Sequence, residues 1–135
     1  MADEFVHPID VRYLEVDAQG VVFNMWYLAY VDDAMTGFLT SFGLRYPDLI
    51  ASGHDVQVVH AELDWRGGLR WQDRASVAVR PIHIGNTSFR LAFDFRREGE
   101  AMVTAEVVYV CVGTDGSGKR PIPDQLRAGL TQALR

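Results

Sequence analysis

From Asn24 to Phe42 the chain carries a helical pattern that is apolar around much of its girth, and such a helix has to be covered by something. Tyr27, Val31, Ala34, Met35, Phe38 and Phe42 recur at helical spacing. Leu28, Ala29 and Leu39 widen the stripe, so the pattern fits a helix held inside a domain better than one laid on its surface. Asn24 is placed to cap the first turn through its side-chain oxygen. Gly43 is placed to end the last one.

The cover is legible as strands. Val11–Val16 precedes the helix, and Val56–Trp65, Ala75–Ile84, Ser88–Arg96 and Met102–Val112 follow it. In Ser88–Arg96 the residues Phe89, Leu91, Phe93 and Phe95 alternate with Ser88, Arg90, Asp94 and Arg96, the pattern of a sheet with one buried face. Met102–Val112 is apolar on both sides and predicts a central strand. Gly85-Asn86 suits a tight hairpin, and Arg97–Glu100 and Asp115–Gly118 carry further turn residues. Pro123 opens a last helix with Leu126, Leu130 and Leu134 at four-residue spacing. The order strand, long helix, four strands, short helix defines an α+β domain with a five-stranded antiparallel sheet.

Residues 1–135 form one such domain, with 48% hydrophobic residues to build its core. Cys111 is the only cysteine. No internal disulfide can form, and its apolar surroundings predict a buried core thiol. The first eight residues are acidic and lack an apolar core, unlike a secretory signal. No run approaches the roughly 18 apolar residues of a membrane span. A cytoplasmic location is expected. A formal net charge of −5 argues against general nucleic-acid binding. The four histidines show no ligand spacing, so no metal is expected.

The loop before the helix carries the chemistry. Asp17 stands one short loop ahead of the amino end of an apolar helix, where backbone N–H groups are unpaired and the helix dipole is positive. A carboxylate beside donors that can hold an oxyanion is what hydrolysis of an activated acyl group requires. A thioester is such a group, because sulfur donates little to the carbonyl and thiolate leaves readily. Asp17 can attack the carbonyl to form a mixed anhydride or can deprotonate a water. The bland alternative is an Asp that only caps a turn.

The same stretch resembles the hot-dog-fold acyl-CoA thioesterases of the 4-hydroxybenzoyl-CoA thioesterase type. The likeness rests on Arg12-Tyr13, Glu15, Asp17, Gly20-Val21-Val22, Tyr27-Leu28 and the pair Asp32-Asp33. It continues in Arg66–Asp73, which is similar to the family's R-x-P-L-R-F-G-D loop. The resemblance implies a sheet wrapped around one long central helix, and hydrolysis of an acyl-CoA to a free acid and coenzyme A. It implies Asp17 as the catalytic group, with Gly20, Val22, Asn24, Met25, Tyr27 and His60 forming the oxyanion and substrate site. No separate cofactor is implied, coenzyme A being part of the substrate.

Arg66, Arg70 and Arg74 are candidates for the phosphates, since guanidinium groups bind phosphate in bidentate fashion. Asp32 or Asp33 is a fallback, because another hot-dog branch uses a helix carboxylate. The resemblance also implies a homodimer, or a tetramer built as a pair of dimers, with each site shared between protomers. The chain departs from the family at Asn24, where many members carry His or Tyr, and at Trp26, where a small residue or Asn is usual. It also lacks basic residues at Gly85-Asn86-Thr87. An acyl carrier protein thioesterase and a non-catalytic acyl-CoA binding module are the alternatives. A hot-dog dehydratase would need a His partner for Asp17, and none lies near it in the motif.

Overall fold

The computed structural model describes residues 4–134. The elements are β1 (Phe5–Asp10), α1 (Trp26–Ser41), α2 (Tyr46–Ala51), β2 (His54–Trp65), β3 (Arg74–Ile84), β4 (Ser88–Arg97), β5 (Glu100–Gly113) and α3 (Asp124–Ala133). The strands form one sheet in the order β1-β3-β4-β5-β2, and every neighbouring pair is antiparallel. Strands β1 and β2 are its edges.

The alternation in β4 becomes the floor of the core. Phe89, Leu91, Phe93 and Phe95 are all buried, and Val103, Ala105, Val107, Tyr109 and Cys111 of β5 lie beside them. Burying each large side chain contributes about 1.5–3 kcal/mol, so this face supplies much of the driving force for folding. Cys111 is buried, and burial pushes its thiol up to about 11. It is a packing residue. Helix α1 crosses the sheet in contact with β1 and β3, and α3 packs on β3.

Four sequence expectations change. The first strand is Phe5–Asp10 and not Val11–Val16; Tyr13–Glu15 is instead a 3-10 turn. The cause is Glu15, which is buried. Its carboxylate accepts from the Arg12 N–H and Nε, both at 2.9 Å, and from the Tyr30 hydroxyl at 2.7 Å, folding the segment back on itself. Pro8 is tolerated in β1 because this is an edge strand. Second, Asn24 is not the helix cap: α1 starts at Trp26, and no side chain caps it. Third, α1 is sixteen residues long and buries one side only. Leu28, Ala29, Asp32, Asp33, Thr36 and Thr40 stay exposed within the chain, so it is not sheathed around most of its girth. Fourth, α2 was not expected; Pro47 in its first turn was the available signal.

Candidate active site

Asp17 sits in a loop closed by an isolated bridge between Val16 and Val22. Its N–H donates to the Val21 carbonyl at 2.8 Å, and the Gly20 N–H donates back to the Asp17 carbonyl at 3.0 Å. Gly20 takes φ +81° to make this turn, a region glycine enters freely. Oδ1 of Asp17 accepts from the Gln19 N–H at 2.8 Å. Among the described residues no group hydrogen-bonds Oδ2. Asp17 therefore does cap a turn, and that bond orients the carboxylate while leaving one oxygen free.

Phe23, Asn24 and Met25 lead from this loop into α1. The Phe23 N–H donates to the Glu15 carbonyl, and the Trp26, Tyr27 and Leu28 N–H groups donate to Phe23, Asn24 and Met25 carbonyls. Among the described residues the N–H groups of Asn24 and Met25 have no acceptor. Both residues are exposed. A free carboxylate oxygen and two free donors thus belong to one short segment, at the positive end of a helix dipole.

The other expected site residues make the following contacts within the chain. The Gly20 N–H is taken by Asp17, and the Val22 N–H donates to the Leu69 carbonyl at 2.8 Å. Tyr27 is fully buried, and its hydroxyl accepts from the Leu69 N–H at 3.0 Å. Burial pushes that hydroxyl's pKa up, and the charges of Asp73 and Asp17 add to the effect. Tyr27 is thus a neutral brace between α1 and the Arg66–Asp73 loop. His60 lies exposed on edge strand β2, with Nε2 2.9 Å from Glu62 Oε1. Among the described residues no hydrogen bond joins it to Asp17.

Leu69 ties the Arg66–Asp73 loop to two elements: its carbonyl accepts from Val22 of the Asp17 loop, and its N–H donates to Tyr27 of α1. A Cβ at Gly68 would come within 2.8 Å of Val21, so glycine is needed for the two loops to meet. Arg66, Arg70 and Arg74 are all exposed around this loop. Asp32 and Asp33 are exposed on α1; partial burial, then the Asp33 charge, pushes the Asp32 carboxyl above its usual range.

A residue set that sequence reasoning did not assemble is Arg12, Glu15 and Tyr30. Burial would raise the Glu15 carboxyl, but hydrogen bonds from the Arg12 backbone, Tyr30 and the Arg12 side chain overrule it, and its pKa lies below the usual value. The Tyr30 hydroxyl is pushed far up by burial and by its bond to Glu15. The three-residue spacing of Arg12 and Glu15 was the signal for half of this clip. These residues and Trp26 wall a cleft of about 390 Å³ between β1 and α1, and Asp17 is not among its walls. Asp17 is half-buried, and Phe23, Met25 and Leu28, which follow it in the chain, are exposed. Among the described residues no three His, Cys, Asp or Glu side chains group as a metal site, and no helix is long and apolar enough to cross a membrane.

A five-stranded antiparallel sheet with a principal helix across its face, and a carboxylate loop at the head of that helix, places the chain in the hot-dog class. The chain belongs to the thioesterase-like superfamily, whose family model matches residues 11–130. It is 22% identical over 122 residues to a 1,4-dihydroxy-2-naphthoyl-CoA hydrolase of Synechococcus elongatus, covering 89% of this chain and 90% of that one. The solved structure of a 1,4-dihydroxy-2-naphthoyl-CoA thioesterase from Synechocystis superposes with a TM-score of 0.86 at 20% identity, over 96% of each chain. A gentisyl-coenzyme A thioesterase gives 0.86 at 24% identity, over 93% of this chain and 99% of its own. At these identities the two structures establish the shared fold.

Proposed function

We propose that this thioester hydrolase cleaves an acyl-CoA to a free carboxylic acid and coenzyme A, with Asp17 as the reacting carboxylate. The observation that carries the reading is Asp17 itself. One oxygen is fixed by the Gln19 N–H and the other is free, just ahead of the unpaired N–H groups of Asn24 and Met25. The substrate carbonyl oxygen accepts from those donors, which hold the negative charge that develops on it. Oδ2 then either attacks the carbonyl carbon or removes a proton from a water that attacks it. In the first route the C–S bond breaks, thiolate leaves and takes up a proton, and water hydrolyses the mixed anhydride to restore Asp17. In the second, the proton held by Asp17 passes to the departing thiolate. Both consume one water and release one acid and one thiol.

The reading includes a homodimer, or a pair of dimers, with each site shared between protomers. Support comes from edge strand β2, where Val58, Val59 and Trp65 are exposed, and from exposed Phe23, Met25 and Leu28 at the helix end. An uncovered apolar strand edge favours pairing with another chain, and Val59 is the extra residue of a bulge between Val58 and His60. Val59→Lys places a charge on that edge. Size exclusion with light scattering should show the assembly fall to monomer as turnover is lost; a fully active wild-type monomer would refute the shared site.

The direct test is release of free thiol across a panel of thioesters. The panel starts with hydroxyaryl-CoA esters, for which the relatives are named, and includes short and long aliphatic CoA esters and acyl carrier protein esters. Turnover of a CoA ester supports the reading. Turnover of carrier esters alone selects the carrier protein alternative, and tight binding without turnover selects the binding module.

A further inference from the structure

Tyr13 and Trp71 are 73% and 48% exposed, yet they meet edge to face at 5.1 Å with planes 69° apart. Neither hangs on a loose segment. The Tyr13 turn is fixed by the Arg12 N–H bond to Glu15. The Trp71 loop is closed by the Arg70 N–H on Asp73 Oδ2 at 2.7 Å and by the Asp73 N–H on the Arg70 carbonyl at 3.1 Å. Arg97 holds the same Asp73 oxygen at 3.4 Å. Gln72, next to Trp71, adopts φ +68°, a conformation that non-glycine residues enter at a cost. Two braced loops therefore present two aromatic rings to solvent.

Three arginines lie close to the pair in the chain, the third, Arg74, standing opposite Asp10 in the β1–β3 register. Arg66, Arg70 and Arg74 surround Trp71 in sequence and are exposed, and among the described residues none of the three guanidinium groups is in an ion pair. The one nearby carboxylate of the loop, Asp73, is neutralised by Arg97. Two exposed rings set edge to face form a corner in which a base can stack on one ring and meet the edge of the other, and unpaired guanidinium groups on the same loop suit a nucleotide that carries several phosphates.

We propose that Tyr13 and Trp71 form the stacking platform for the adenine of coenzyme A, with Arg66, Arg70 and Arg74 holding its phosphates. The inference rests on the acyl-CoA reading and specifies where the nucleotide end of the substrate lies. Leu69, two residues before Trp71, is bonded to Val22 and Tyr27, so the platform is tied to the Asp17 loop through one backbone seam. The pantetheine arm runs along that seam, and adenine stacking adds affinity that is equal in ground and transition states. Its loss should raise KM more than it lowers kcat.

The experiment compares an acyl-CoA with the acyl-pantetheine ester of the same acid, which lacks the nucleotide. In the wild type kcat/KM is higher for the CoA ester. Trp71→Ala should lower the ratio of the two kcat/KM values by about tenfold or more, as loss of a base-stacking ring does. Trp71→Phe, which keeps a flat face, should recover most of it. Tyr13→Ala, at a residue largely in solvent, should lower the ratio without disturbing the fold and serves if Trp71→Ala is unstable. An unchanged ratio in these variants, an equal loss on both esters, or a wild type that does not distinguish the esters overturns the platform. A wild type that cleaves neither ester overturns the acyl-CoA reading instead.

Discussion

The Tyr27 hydroxyl accepts a hydrogen bond from the Leu69 N–H at 3.0 Å, joining the first turn of α1 to a loop forty-two residues further along the chain. Both residues are completely buried, so the bond has no water to replace it. Tyr27→Phe leaves the Leu69 N–H without an acceptor, at a cost of about 1–3 kcal/mol. Thermal unfolding should show Tm lower by several degrees. Turnover should fall as well, since the same loop carries the Val22 bond that seats the Asp17 turn. A Tm equal to the wild type would mean that Tyr27 is not the brace described.

The Glu15 clip makes stability depend on pH in a defined direction. Its carboxyl pKa is lowered in the folded chain, against an unfolded value of about 4.3. The unfolded chain then takes up the proton first as the pH falls. The Glu15 contribution is full above the unfolded value and is lost as the pH drops through the folded one. Denaturant midpoints measured from about pH 7 down to about pH 3 should fall more steeply for the wild type than for Glu15→Gln. Parallel curves would show that the Arg12–Glu15–Tyr30 contacts add nothing in solution.

At the helix end, backbone and side chain predict different outcomes. Asn24→Ala keeps both free N–H groups and should weaken turnover only moderately. Met25→Pro deletes one donor at a position where the first turn tolerates proline, and kcat should fall by about a hundredfold or more, as loss of an oxyanion donor does. Circular dichroism and kcat measured together check this. Equal effects of the two changes would rule out a backbone oxyanion site.

How far the sequence revealed these features depended on how local each one is. The β4 alternation, the apolar β5 run and the start of α3 at Pro123 reflect nearest-neighbour patterning, and the fold follows them closely. The Asp17 loop was readable for the same reason, being built from bonds spanning a few residues. β1 was misplaced because Glu15, which occupies an alternating position in Val11–Val16, draws the segment toward Tyr30 fifteen residues away. Periodicity cannot express that contact. The exposed face of α1 reads like core because Leu28 and Ala29 extend the apolar stripe, although both are exposed. The Tyr27–Leu69 bond and the edge position of His60 depend on residues far away in the chain and on strand order, which local patterning does not carry.

The central claim is that Asp17 performs the reaction, and Asp17→Asn tests it most directly. The change keeps the side-chain size and an oxygen for the Gln19 N–H but removes the charge. Thiol release from the best CoA ester of the panel should fall by about a hundredfold or more in kcat, with Tm and assembly as in the wild type. Near-normal kcat in Asp17→Asn would contradict the account and shift attention to Asp32 and Asp33 on α1.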